Sequence, residues 1–130
     1  MVWIKFHGGC MRKQEIVDFS EKWIRKFQDK NMNFYDIFDT DEFPNECSRL
    51  EFEMDCGKEF EEKYSSDAFR NLYGLKKIIS NVDNIDILGN AIFSKWRYFN
   101  HWSYNHPDEE DITWFIIALA RLIELVNGKK

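Results

Sequence analysis

Residues 107–126 read PDEEDITWFIIALARLIELV, and the way this stretch folds decides the architecture of the chain. Ile112, Phe115, Ile116, Leu119, Leu122, Ile123 and Val126 recur at steps of three and four, the spacing of one α-helical face. Trp114, Ile117, Ala118 and Leu125 make a second side apolar, so this helix is expected at the centre of the molecule. Pro107 suits a first helical turn. Asp108, Glu109, Glu110 and Asp111 put negative charge at the positive end of the helix dipole, and Gly128 is the stop signal.

A central helix needs others to cover it, and the sequence upstream supplies them. Over residues 84–104, Ile85, Leu88, Ile92, Trp96 and Phe99 share one face, and Asn105-His106-Pro107 ends the pattern. Residues 66–81 predict another helix, capped by Ser66 or Asp67, with Phe69, Leu72, Tyr73, Leu75, Ile78 and Ile79 inward. Gly74 in its middle marks close packing. Residues 12–30 carry the stripe Ile16, Phe19, Trp23 and Phe27, closed by Asn31. Residues 33–44 read as a short helical turn and a loop.

The segment 45–57 reads two ways. Leu50, Phe52 and Met54 alternate with Glu51, Glu53 and Asp55 as in a strand, while Phe43, Cys47, Leu50 and Met54 fit a helix. A helix from Pro44 to about Glu53 is preferred, because a lone strand needs a partner. The alternative pairs residues 50–55 with the apolar stretch Val2–Phe6, an edge strand or docked tail ended by Gly8-Gly9. The expectation is a mainly α, single-domain, bundle-like array of about five helices over residues 1–130, with room for a small N-terminal strand element.

Composition narrows the function classes. Aromatic residues are 17% of the 130, enough for a few helices to bury an adequate core and still leave rings for a self-association surface, hence a homo-oligomer. Net charge is −5, and the basic residues are scattered and outnumbered, which argues against a nucleic-acid partner. The longest strongly apolar run, Trp114–Ala120, is too short to cross a bilayer, and the N-terminus lacks the features of a secretion signal. A cytoplasmic chain, with no membrane partner, is the expectation. Cys10, Cys47 and Cys56 do not form a disulfide framework. No phosphate-binding glycine loop, G-x-S-x-G, H-E-x-x-H or EF-hand pattern is present.

Four constellations carry candidate chemistry. On the polar side of the 84–104 helix, Asn90, Ser94, Arg97 and His101 stand at steps of four, three and four. An amide, a hydroxyl, a guanidinium and an imidazole in a row suit an anionic or polar ligand, with Arg97 making a forked contact. Asp55 and Trp102 complete this candidate binding set. The plainer reading is a polar seam against residues 53–55, with Arg97 pairing a carboxylate. His7, Cys10, Cys47, Cys56, His101 and His106 are the metal-ligand types, but their spacings do not make the close pairs of a zinc site, so no metal and no cofactor are expected. Cys56 with His101 could form a thiolate–imidazole pair, although a structural cysteine is the simpler reading. Trp96, Tyr98, Phe99, Trp102 and Tyr104, interleaved with Lys95 and Arg97, suit core packing better than base stacking.

The strings FEMDCG (residues 52–57), LGNAIFSKWRYFNHW (88–102) and WFIIAL (114–119) together resemble a set of small uncharacterised bacterial proteins, chiefly from Gram-positive bacteria. The resemblance spans roughly Cys47 to Val126. It departs at Glu51, where that family carries a glycine. It implies a bacterial, cytosolic origin and no particular activity. The functional expectation is a non-enzymatic binding module for a protein partner or a small polar ligand, with toxin neutralisation or defence modulation as the setting. The alternative is a small enzyme or metal protein using Asp55, Cys56, Arg97 and His101.

Overall fold

The computed structural model describes residues 3–31, 33–101 and 107–128. Among these the chain is mainly α, without a strand, and holds eight α-helices, five of them seven residues or longer. They are α1 (Trp3–Gln28), α2 (Phe34–Phe38), α3 (Glu42–Arg49), α4 (Lys58–Lys63), α5 (Ser66–Arg70), α6 (Leu72–Ile78), α7 (Ile85–His101) and α8 (Glu109–Val126), with a 3₁₀ turn at Ile79–Asn81. None is long and apolar enough to cross a membrane.

α8 is the centre, as its two apolar sides require. It packs most extensively on α1 and also meets α6, α7 and the 3₁₀ turn. Phe115 and Trp114 on its two sides are fully buried. Phe115 stacks on Phe27 of α1, with centroids 5.1 Å apart. The Trp114 indole N–H donates to the Ala68 carbonyl at 2.8 Å. Pro107 stands one residue before the cap rather than in the first turn, because Asp108 takes the cap. Its carboxylate accepts from the Asp111 N–H at 2.9 Å, and the Asp111 carboxylate accepts from the Asp108 N–H at 3.0 Å. This reciprocal box satisfies two donors that would otherwise be orphaned.

α1 buries the expected Ile16, Phe19, Trp23 and Phe27. Its length corrects the sequence reading, since the backbone is helical from Trp3, through Gly8 and Gly9, in place of a strand or tail. Each glycine costs a helix only about 1 kcal/mol, and a helix nucleated downstream extends by one bond per residue. From α1 a run of rings crosses the core. Trp23 meets Phe43 edge-on at 5.0 Å, and Phe43 stacks on Trp96 at 5.1 Å.

The ambiguous segment resolves as neither expected form. Pro44 lies in the first turn of α3 as anticipated, but the helix ends at Arg49, and residues 50–55 are irregular. The stop is a Schellman closure. The Glu51 N–H donates to the Ser48 carbonyl and the Phe52 N–H to the Cys47 carbonyl, both at 3.0 Å. Such a closure needs a left-handed residue, and Glu51 supplies it with φ +66°. A side chain there costs about 1–2 kcal/mol relative to right-handed backbone, a penalty glycine escapes. Glu51→Gly is therefore expected to raise stability by about 0.5–1 kcal/mol in urea unfolding. A loss instead would show that the Glu51 side chain contributes more than its backbone costs.

The predicted helix over 66–81 is broken at Asn71. The Asn71 side chain accepts from the Gly74 N–H at 2.7 Å and so starts α6, while Ser65, one residue before the expected cap, starts α5 by accepting from the Ala68 N–H at 3.2 Å. Asparagine competes for backbone donors in this way, which favours caps over helix interiors. Gly74 does mark a close approach, because a Cβ there would lie 2.6 Å from the Asp67 backbone. Residues 58–63, which show no apolar periodicity, form α4 around one buried ring, Phe60.

Candidate functional site

α7 points an apolar stripe inward and lays its polar side along the irregular strap, residues 50–57. Leu88, Ala91, Ile92, Phe93 and Trp96 are buried, and Ile85 and Phe99 pack against the core from partly covered positions. On the other side, Asn90 Oδ1 accepts from the Glu53 N–H at 2.7 Å. Ser94 Oγ accepts from the Asp55 N–H at 3.1 Å and donates to the Asp55 carboxylate at 3.2 Å. Asp55 also accepts from the Gly57 N–H at 2.9 Å and the Glu59 N–H at 3.4 Å, so the same carboxylate starts α4. The Phe52 ring lies flush on Gly89, where a Cβ would come within 2.2 Å of it. Arg12 of α1 holds the other flank. Its Nε donates to the Leu50 carbonyl at 3.0 Å, its Nη2 pairs with Asp86, and its guanidinium lies over the Phe52 ring. The strings at 52–57 and 88–97 are thus one structural unit.

The expected site residues are only partly brought together. Asp55, Asn90 and Ser94 converge, and each is engaged in holding the strap. Arg97 stands apart and exposed, its Nη1 donating to Asn100 Oδ1 at 3.2 Å. Asn100 is itself anchored, donating to the Phe38 carbonyl at 2.7 Å. The carboxylate partner of the plainer reading is absent among the described residues. The reason lies in the strap, which turns away at Cys56 (φ +59°) and Gly57 (φ +73°) into α4. The α7 backbone reaches His101, but the His101 side chain lies outside the described residues, as do Trp102, His106 and the side chains of His7 and Cys10.

Beyond Ser94 a groove of about 640 Å³ opens between α7 and the α4–α5 segment, within the size range of small-molecule sites. Ser94, Arg97 and Tyr98 border it from α7, and Cys56, Phe69 and Arg70 from the facing chain. Tyr98 is half exposed, and its ring stands edge-on to Phe99 at 5.3 Å. Glu61 is the one carboxylate at the rim, 3.9 Å from Arg70 Nε.

Lys95 also lines this groove, and its ammonium is buried. It donates to the carbonyls of Phe69 and Arg70 at 2.8 and 3.2 Å, the last residues of α5, and lies 4.7 Å from the Trp114 ring centre. Burial pulls its pKa down to about 8, against the opposing pull of Asp111 and Asp108. The amine therefore closes the C-terminal end of α5. In the sequence Lys95 reads as a charge between rings. Its position was nevertheless informative, three residues after Ile92 and seven after Leu88, inside the apolar stripe. Phe69 and Arg70 carried no such signal, because their place beside α7 depends on the turn at Asn71.

Other centres of reactivity are weaker. Cys47 is fully buried, and burial, with Glu46 adding, pushes its thiol well above the ordinary range, so it is inert. Cys56 is a free, exposed thiol. Among the described residues, no three His, Cys, Asp or Glu side chains gather as metal ligands. A second concavity of about 400 Å³ lies over Phe19 and Leu50, and there Lys22 is already paired with Glu46 and with Glu42 nearby.

Comparison with protein-family models, curated proteins and solved structures returned no match.

Proposed function

We propose that the protein is a non-enzymatic binding module whose ligand seats in the groove beside α7. One observation carries this reading. Asn90, Ser94 and Asp55 are spent on building the groove's edge, while the exposed Arg97 guanidinium, steadied through Nη1 by Asn100, keeps its other nitrogens for a ligand beside the exposed Tyr98 ring on the same helix. A steadied polar fork beside an exposed ring on a helix suits a recognition site. The enzyme alternative asks Asp55 to act as acid or base, yet its oxygens already accept from Gly57, Glu59 and Ser94. A bacterial, cytosolic setting and a role in neutralising or modulating another factor are compatible with this reading and with the resemblance of the FEMDCG and LGNAIFSKW strings.

The test is an amide NMR screen of a few hundred neutral, anionic and cationic fragments against the intact protein. Shift changes are expected to cluster at Cys56, Phe69, Arg70 and residues 94–98. If hits scatter over the surface, or if none falls at the groove, the reading fails.

A further inference from the structure

We infer that the groove beside α7 is built to take a small aromatic carboxylate, its ring against Tyr98 and Phe69 and its carboxylate at Arg97 and Arg70. The inference rests on the binding-module reading above and gives that site its ligand class.

The first argument is charge. The protein carries a net charge of −5, so an average patch of its surface repels anions. The groove departs from this, since its lining carries Arg70, Lys95 and Arg97 against Glu61, while Asp55 lies behind Ser94 at its edge and Asp108 and Asp111 offset only the buried Lys95, which leaves the two arginines as its exposed charges. The Lys95 ammonium is committed to two carbonyls, so it contributes field but no free donor. The two arginines supply the donors. Arg97 uses one nitrogen on Asn100 and keeps the rest of its fork. Arg70 faces Glu61 at 3.9 Å, beyond hydrogen-bond range, and its side chain is 73% exposed. An arginine fork binds a carboxylate through two parallel bonds, which an alcohol or an amine cannot reproduce.

The second argument is shape and surface. The apolar surface of the groove is largely aromatic, supplied by Phe69 and Tyr98. Phe69 is held edge-on to Trp114 at 6.3 Å, and Tyr98 edge-on to Phe99. Phe69 is covered in part by the Lys95 ammonium and by Gly57, so the half-exposed Tyr98 ring offers a flat guest its main face, and Phe69 its remaining edge. Its two exposed cations, Arg70 and Arg97, are side-chain forks rather than a nest of backbone N–H groups, an arrangement suited to a carboxylate more than to a phosphate.

The experiment uses three ligands of one shape: 2-naphthoate, 2-naphthalenemethanol and 2-naphthylmethylammonium. Each is titrated by amide NMR into the wild-type protein and into an R70Q/R97Q variant whose thermal midpoint is checked first. Both arginines are exposed, so the variant is expected to fold. Naphthoate should shift Cys56, Phe69, Arg70 and residues 94–98 and bind about tenfold more tightly than the alcohol, with the ammonium weakest. In the variant the preference for naphthoate should vanish while the alcohol's affinity holds. If the alcohol or the ammonium binds the groove as well as naphthoate does, the carboxylate assignment is overturned and the binding site stands. If none of the three moves groove resonances while the fragment screen does, the ligand is of another class. If both are silent there, the binding reading falls as well.

Discussion

Gly89→Ala is expected to destabilise the protein by about 2–3 kcal/mol, although helix propensity alone predicts a gain of about 1 kcal/mol for alanine in mid-helix. The opposing effect is steric. The new Cβ would lie 2.2–2.4 Å from three carbons of the Phe52 ring. That ring cannot swing clear cheaply. It is 3% exposed, with Phe19 edge-on at 6.5 Å and the Arg12 guanidinium over it. Moving it also pulls on the Glu53–Asn90 bond next door and on the Phe52 N–H that closes α3. Urea unfolding of wild type, G89A, F52A and the double variant decides the matter. In the Phe52→Ala background the same glycine replacement should become neutral or stabilising by up to about 1 kcal/mol, since only propensity remains. An equal loss in both backgrounds would show that the cost does not come from the ring.

Lys95→Met should cost about 2 kcal/mol at pH 7, because it leaves two carbonyls at the end of α5 without their buried donor. Its pH dependence identifies the cause. The folded amine titrates near 8, below its ordinary value of 10.5. Between those values the unfolded chain holds a proton that the folded protein has released, so the wild type gains stability as pH rises through this window. Below about pH 8 the penalty of burying the ammonium is present in full. The methionine variant has no such group, so its deficit relative to wild type should widen from pH 8 to pH 10.5. Parallel unfolding midpoints across that range would refute the buried, depressed amine. Asp108 and Asp111 face the same ammonium, and neutralising either should pull the Lys95 pKa lower still.

The two substitutions probe one construction from its two ends. Gly89, Asn90 and Ser94 hold the strap on the outer side of α7, and Lys95 binds the end of α5 beside it. The groove is the space left between those two attachments. A fault at either end should therefore blur ligand recognition as well as lower stability, whereas changes at the exposed Arg70 and Arg97 should affect recognition alone.

Periodicity in the amino-acid sequence was sufficient for the long helices. The stripes at Ile16–Phe27, Leu88–Phe99 and Ile112–Leu122 bury the residues they promise or, for Phe99 and Ile116, pack them partly covered against the core, because a helix that repeats every 3.6 residues has only one way to hide such a row. The row Asn90–Ser94–Arg97 was legible for the same reason, as was the glycine at position 74. Short-range competition lay beyond that reach. A left-handed Glu51 stops α3, an asparagine cap divides residues 66–81, and Lys95, read only as a charge interleaved with rings, is buried. The first two are settled by backbone bonds within a few residues, to Ser48 and Cys47 and from Gly74, which apolar periodicity does not register, and the third by carbonyls 25 and 26 residues away. Phe52 against Gly89, Lys95 against the end of α5 and Asp55 against Ser94 are separated by 25 to 39 residues. The helices and the cap at Asn71 were therefore determined locally, while the seating of the strap on α7 and the groove beside it exist only once the tertiary structure brings those distant partners together.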